Sequence, residues 1–300
     1  MQKTGIATAI IAIELIGLEV GDRVPTIADL AEKYNLARGT VQTAYKILKE
    51  NGAIEVRSKG HQGTFITSIN QTKILEFSGS NSLVGVMPLP YSKKYEGLAT
   101  AIYRVLSESG IRSNLAFMRG SNHRLEGLMN GRYDFAVTSQ LTAEYYLQKG
   151  EYIKVIKNFG RYTYVNEHVI LTRNSFDGLF ENCTVGIDKS SIDQTMLTLE
   201  YFANYCVKYK ELIYSNIIDA LQKGEIDAAI WNLDDIDVKG SKVSIHSMKD
   251  RKVDISDTKA VIICRKEDEK VQKIISAMLD EEKVITYQKS VLENRIPPMY

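Results

Sequence analysis

Arg38, Gly39, Thr40, Gln42 and Thr43, with Lys46 one turn further on, crowd the start of a segment in which Val41, Ala44, Tyr45 and Leu48 keep helical apolar spacing. The polar set therefore falls on the face opposite the core stripe. Its chemistry is that of base edges and phosphates. A guanidinium matches guanine O6 and N7, a glutamine amide matches adenine N6 and N7, and threonine reaches phosphate or a thymine methyl. Lys59, Gly60 and His61 sit at the tip 58–63 between two short strand patterns, 54–57 and 64–66. A cation on glycine-flexible chain there suits phosphate or the minor groove. Residues 38–61 carry a local surplus of three positive charges, whereas the whole chain has a net charge of only +1. Any affinity for nucleic acid must come from this patch and not from a global field.

A second set of candidate residues lies at predicted strand ends: Pro88, Leu89, Pro90, Tyr91 and Ser92; Arg119, Gly120 and Ser121; Thr138 and Ser139; Asp188, Lys189 and Ser190; Trp231 and Asn232. In open α/β sheets ligands collect beyond the carboxyl ends of strands, where helix N-termini offer free N–H groups and partial positive charge. A small polar or anionic molecule would find Arg119 or Lys189 as counter-charge, Tyr91 or Trp231 as a wall, and Asn232 for orientation. Each has a plainer role open to it. Ser92, Ser121, Ser139 and Ser190 are equally good N-caps, Trp231 equally fills a core, and Asp134 and Asp227 are turn formers after glycine. No catalytic constellation stands out. His61, His123, His168 and His246 are dispersed, no G-x-S-x-G or phosphate-cradling loop occurs, and the acidic residues lack metal-ligand spacing. No catalytic residue, metal or cofactor is expected.

The elements that must position these residues can be read around them. Thr26, with Asp29 three residues on, opens a helix whose Ile27, Leu30, Ala31 and Tyr34 form one stripe. Asn35 supplies the left-handed residue of a tight turn, and Gly52 stops the following helix. The apolar run 6–20 is interrupted by Glu14, is preceded only by Lys3 among basic residues and is short for a membrane span. It reads as a first helix with residues 6, 10, 13 and 16 on its buried face. Residues 83–138 then alternate strand and helix, and the pattern returns after 184. Gly131 to Val137 is answered by Gly224 to Ile230, each reading Gly-x-(Tyr/Ile)-Asp-x-Ala-(Val/Ile). Two α/β lobes with parallel strands follow. Segments 165–172 and 260–264 are the strands crossing between them, and a terminal helix covers about 268–280.

The expected fold class is multidomain. A winged helix-turn-helix (α+β) occupies 1–70, a linker 71–82, and a two-lobed α/β effector-binding domain 83–300. Cys183, Cys206 and Cys264 are odd in number and far apart, which fits reduced thiols in a cytoplasm.

The first seventy residues resemble the GntR family through Gly21-Asp22-Arg23-Val24-Pro25, Leu30-Ala31, Arg38-Gly39-Thr40-Val41, Leu48 with Gly52, and the 60–66 wing. Three departures stand out. Ala37 replaces the usual serine cap, a change costing about 1 kcal/mol of helix stability; Ile27-Ala28 replaces a charged pair; Gln42 replaces a frequent arginine. The two-lobed part resembles the type II periplasmic-binding-protein fold. Across almost the full length, segments 87–91, 95–99, 118–120, 130–134 and 230–232, with Tyr164, Glu167, His168 and Asp227, resemble the YhfZ family of bacterial regulators. The resemblance implies a cytoplasmic, GntR-like transcription factor with a binding-protein-like effector domain. The expected partners are double-stranded DNA, a small-molecule effector and a second copy in a homodimer, with no membrane. The alternative is an enzyme on the two-lobed domain that uses the winged helix as an adaptor.

Overall fold

The computed structural model describes residues 3–79, 81–176, 178–235, 242–248 and 255–300. Ser80, within the expected linker, lies outside them. By compactness the chain divides into two units. The first comprises Met1–Leu83, Arg104–Asn114 and Glu267–Asp280; the second comprises Val84–Tyr103, Leu115–Lys266 and Glu281–Tyr300.

The first unit begins with α1 (Lys3–Leu15), α2 (Ile27–Lys33) and α3 (Arg38–Glu50), followed by β1 (Ile54–Ser58), β2 (Thr64–Ile69) and α4 (Gln71–Ser78). Thr26 Oγ1 accepts from the Asp29 amide at 3.1 Å, so the helix start read from sequence is made as a side-chain cap. Asn35 adopts φ +49°, the turn that joins α2 to α3. α3 buries Val41, Ala44, Tyr45 and Leu48, and Ala37 gives it no side-chain cap. β1 and β2 pair antiparallel. The chain before α2 adds a third rung, with Gly21 and Val24 amides donating to Ile66 and Thr64 carbonyls at 2.9 Å.

Two expectations need correction here. α1 buries Ala7, Thr8, Ile11, Ala12 and Leu15, while Ile6, placed on the core face by sequence, is 46% exposed. A run apolar at nearly every position has no phase, so the packing partner selects the face. The stretch read as linker contains a helix. Asn70 caps α4 through the Lys73 amide at 3.1 Å, Ile74 and Leu75 are fully buried, and Gln71 Nε2 donates to the Leu18 carbonyl at 2.7 Å. Its polar residues face outward and disguised a short amphipathic helix as a connector.

The remaining elements make two lobes. The first contains β3 (Ser82–Met87), α5 (Lys93–Glu108), β4 (Arg112–Phe117), α6 (Ser121–Met129), β5 (Phe135–Ser139), α7 (Gln140–Gln148) and β6 (Ile153–Asn158). The second contains β7 (His168–Arg173), β8 (Thr184–Ile187), α8 (Ile192–Tyr201), β9 (Lys208–Glu211), α9 (Ile217–Gln222), β10 (Ala228–Asn232) and β11 (Val243–Ser247). β12 (Ala260–Arg265) returns to the first lobe and leads to α10 (Glu269–Met278) and α11 (Glu281–Leu292). The sheets have orders β4-β3-β5-β12-β6 and β9-β8-β10-β7-β11, the same pattern twice. β3 and β5, and β8 and β10, pair in parallel. The strand arriving from the other lobe, β12 or β7, pairs antiparallel in each sheet.

The repeated motif is the repeated joint. Gly131 and Gly224 take φ +72° and +69°, conformations open to glycine at little cost. The aspartate that follows then caps the start of the neighbouring strand. Asp134 Oδ2 accepts from the Val84 amide at 2.7 Å, and Asp227 Oδ2 from the Thr184 amide at 2.8 Å. Each of the two also donates its own amide to the carbonyl of that same residue at 2.7 Å. Both aspartates are structural.

Within the first unit, Glu14 is 12% exposed and receives Lys33 Nζ at 2.9 Å, Lys273 Nζ at 2.7 Å and the Tyr34 hydroxyl. Burial pushes its carboxyl upward, but hydrogen bonds from Lys273, Tyr34 and Lys33 outweigh that and lower it to about 2 from the ordinary 4.5. A carboxyl depressed on folding stabilises fully above its unfolded value and loses that contribution as pH falls toward its folded one. Glu14→Gln should destabilise the protein by roughly 1–3 kcal/mol at neutral pH. In urea melts the gap between wild type and variant should close between pH 4.5 and about 2; a gap independent of pH would assign the effect to packing.

Candidate functional site

Between the lobes lies a narrow cleft of about 90 Å³ that runs out to solvent. Of the residues expected at a ligand, Pro88, Leu89, Tyr91, Arg119, Gly120, Ser121 and Asp188 line it. Arg119 Nη2 donates to the Tyr91 hydroxyl at 2.9 Å, which holds both side chains together. Pro90, Ser92, Thr138, Ser139, Lys189, Ser190, Trp231 and Asn232 stand outside the lining.

Several of these residues close the lobes on each other. Ser121 Oγ, at the start of α6, accepts from the Ile192 amide at the start of α8 at 2.9 Å. Asn122 donates from its amide to Ser190 O at 3.2 Å and from Nδ2 to Lys189 O at 3.0 Å. Ser139, the N-cap of α7, donates to Asp193 Oδ1 at 2.5 Å, and Thr142 donates to the same oxygen at 2.9 Å. Helix starts from opposite lobes thus satisfy one another's polar groups. Ser92 is an N-cap for the Tyr95 amide, and Ser190 serves Asp188 Oδ1 through both its amide and its hydroxyl. Trp231 is 4% exposed and stacks on Tyr214, ring centroids 3.8 Å apart. It backs the wall that Tyr214 presents. Asn232 is buried and holds the Asp234 amide at 2.9 Å. The Lys189 side chain is 63% exposed and pairs with Glu211 at 2.8 Å.

Besides Arg119 and Asp188, the charges in the cleft come from residues that strand-end reasoning passed over. Arg124, 5% exposed, donates from Nη1 to Met118 O at 3.0 Å and from Nη2 to the Tyr164 hydroxyl at 3.3 Å. Its Nε has no partner, and no carboxylate of the described residues forms an ion pair with it. On the opposite wall Asp235 has no hydrogen-bond or ion-pair partner among the described residues, and burial beside Asp234 pushes its carboxyl up to about 7. Burial also raises the Asp193 carboxyl from its ordinary value, against the bonds from Ser139 and Thr142. His168 Nδ1 meets the fully buried Asp257 Oδ2 at 2.6 Å. Burial holds the Tyr95, Tyr164 and Tyr214 hydroxyls protonated, with Tyr164 pushed up to about 12. Arg124 lies one helical turn after Ser121, and Asp235 is the third residue after Asn232. Lining residues one turn inside a helix carry no turn chemistry to mark them.

A second network secures the hinge. Lys94, 4% exposed, donates to Tyr162 O at 2.6 Å and to Asn166 Oδ1, while the Asn166 amide donates to Asp234 Oδ2 at 2.7 Å. Gln288 of α11 donates to Lys94 O at 3.1 Å and to Thr163 O at 2.7 Å. This helix, absent from the sequence reading, covers the crossing segment. Among the described residues no group of three histidines, cysteines or carboxylates is placed to hold a metal.

In the first unit Arg38, Gly39, Gln42, Thr43 and Lys46 are exposed on α3, and Thr40 is half-buried. Thr43 Oγ1 donates to Gly39 O at 2.9 Å, and Lys46 pairs with Glu50 at 3.7 Å. Lys59, Gly60 and His61 are exposed at the hairpin tip, where Lys59 Nζ lies 4.6 Å from the Phe65 ring centroid. No helix of the described residues is long and apolar enough to cross a membrane.

A helix-turn-helix head and a two-lobed domain of the type II periplasmic-binding-protein fold define the class. The fold likeness extends to an ancestral arginine-binding protein bound to arginine, with TM-score 0.54 and 15% identity, covering 71% of this chain and 97% of that one. Residues 19–66 match a helix-turn-helix domain family, and residues 70–300 match the YhfZ C-terminal domain. The chain is 32% identical to YhfZ of Escherichia coli K12 over 100% of its own length and 98% of that protein. It superposes on the crystal structure of YhfZ from Shigella flexneri with TM-score 0.66 and 32% identity, covering 76% of this chain and 97% of that one. The chain belongs to the YhfZ family. Its head is also 36% identical over 69 residues to the HTH-type transcriptional regulator Rv1152 of Mycobacterium tuberculosis, covering 23% of this chain and 55% of that protein.

At Gly120 the lobes come close together. It has φ +75°, and a Cβ there would lie 2.8 Å from Ser190 Oγ and 3.0 Å from Ser190 O. Gly120→Ala should destabilise the closed lobes by about 1–3 kcal/mol and increase the radius of gyration in solution scattering. An unchanged melt and scattering curve would show that closure does not depend on this approach.

Proposed function

We propose that the protein is a ligand-responsive, DNA-binding transcription regulator that acts in the cytoplasm as a homodimer and senses a small polar or anionic metabolite in the interlobe cleft. The observation that carries this reading is the pairing, on one chain, of an exposed polar face on α3 with a cleft that buries the uncompensated Arg124 guanidinium. Burying a cation without a counter-charge is costly, and a bound anionic group relieves that cost. Arg38, Gly39, Thr40, Gln42, Thr43 and Lys46 are assigned to the major groove, and Lys59, Gly60 and His61 to phosphate or the minor groove. Pro88, Leu89, Tyr91, Arg119, Gly120, Ser121 and Asp188 are assigned to the effector. The similarity of the head to a transcriptional regulator supports the DNA role. A metabolite alters operator affinity only through unequal affinity for the two states of the sensor.

One observation favours a second reading, turnover in the same cleft: the His168 and Asp257 side chains form a buried imidazole–carboxylate pair at 2.6 Å. Incubation with a bound metabolite followed by mass spectrometry separates the two readings, since a sensor returns it intact.

Selection from a random duplex library should enrich two half-sites related by symmetry and spaced about one helical turn apart or a multiple of it. Arg38→Ala should weaken binding to the selected duplex by roughly 1–3 kcal/mol. Failure to enrich any motif, or identical affinities for wild type and variant, would remove the DNA-reading role. Operator affinity unchanged at saturating metabolite would remove the control mechanism.

A further inference from the structure

The helix-turn-helix head contains a cavity of its own, lined by residues within 24–64. Its volume is about 490 Å³, within the range of small-molecule sites, against about 90 Å³ for the interlobe cleft. The floor is hydrocarbon: Pro25 and Ile27 at the start of α2, Tyr45 of α3 and Val56 of β1. Ile27 and Val56 are half-buried, so each leaves apolar surface open in the cavity. The Tyr45 hydroxyl donates to the Pro25 carbonyl at 2.9 Å, which spends the polar atom of that side chain on holding the floor together. Along the rim run Gln42, Lys46 and Lys49, one exposed edge of α3 at spacings of four and three residues. No aspartate or glutamate lines the cavity. Lys46 has only the loose pair with Glu50 at 3.7 Å, and Lys49 has no ion pair among the described residues. Two of the departures from the GntR pattern meet here, since Ile27 and Gln42 put hydrocarbon and a neutral amide where charged side chains are usual.

An apolar floor beneath two ammonium groups is matched by an apolar body that carries one anionic group. A sugar or a bare phosphate would press polar atoms against hydrocarbon, and a neutral hydrocarbon would leave the lysines unanswered. We propose that the head binds a small hydrophobic carboxylate, aromatic or aliphatic, with its body on Ile27, Tyr45 and Val56 and its carboxylate on Lys46 and Lys49, and that this ligand competes with DNA. The competition rests on the reading above that assigns Gln42 and Lys46 to the major groove; the binding site does not. A carboxylate seated there occupies Lys46 and adds negative charge to the face that meets a polyanion. The head then responds to a metabolite directly, without a signal from the two-lobed domain.

The test is calorimetric titration of the full chain with benzoate, phenylacetate, hexanoate and octanoate, alongside their neutral amides and inorganic phosphate. At least one carboxylate should bind with one site per chain, and its amide should bind at least about tenfold more weakly. Lys49→Gln should weaken that carboxylate by about tenfold. Ile27→Glu, which returns a carboxylate to the floor in the first turn of α2, should abolish binding of every carboxylate. Both variants should melt close to wild type, because neither side chain is buried. In fluorescence anisotropy with a selected, labelled duplex, the carboxylate should raise the apparent Kd in proportion to its concentration. Binding of phosphate or of an amide as tightly as any carboxylate would overturn the inference. So would the absence of heat from every carboxylate at millimolar concentration, or binding that survives both substitutions. A carboxylate that binds through Lys49 and leaves duplex affinity unchanged would overturn the competition and leave the DNA reading standing. Calorimetry requires no DNA, so failure of the DNA reading and failure of this site are separate results.

Discussion

A guanidinium buried without a carboxylate is the constraint around which the two-lobed domain is organised. Arg124 sits 5% exposed on α6, held by a backbone carbonyl and a tyrosine hydroxyl. Neutral dipoles are a weaker substitute for the hydration and counter-charge a cation loses on burial. The neighbouring residues are arranged to hold the group in place: Tyr164 is fixed in the crossing segment by its T-shaped contact with Tyr95, and Met118 ends the strand that leads into α6. The protein thus holds a charge fixed in the lining of the cleft.

Closure of the lobes uses the same chemistry that would otherwise recruit ligand. Helix starts expose amide and hydroxyl groups that require partners, and here the starts of α6, α7 and α8 supply partners to one another through Ser121, Ser139, Thr142 and Asp193. Ser121 and Ser139 therefore hold the lobes together, while the charge lining the cleft falls to side chains one turn inside a helix or just past a strand. The hinge is braced by Lys94, Asn166, Asp234 and Gln288, so Asp235 is presented from a chain segment whose neighbour is already tied down.

In the helix-turn-helix unit the division of labour is simpler. One face of α3 is fully committed to the core and the other to solvent, and the tight turn at Asn35 sets α3 against α2. Glu14 gathers two lysines and a tyrosine around a single carboxylate, which ties α1 to the end of α2 and to α10 within that unit. The exposed charges of α3 stand outside that network.

Residues that act locally were legible in the sequence. Thr26 with Asp29, Asn35, the stripe of α3, and the two Gly-x-x-Asp joints each specify a turn, a cap or a face within a few residues of chain, and each appears where its pattern places it. The face of α1, the helix at 71–78, the covering helix α11 and the use of Ser121, Ser139 and Trp231 were decided by partners far away in the chain. Arg124 and Asp235 owe their importance to burial and to the absence of a neighbour, and a linear pattern cannot express an absence in space. The sequence alone determined the class of the two domains and the repeat within the second. Tertiary packing decided which polar groups are consumed in holding the lobes shut and which charges remain unpaired in the cleft, because desolvation and pairing depend on what lies across the cleft and not along the chain.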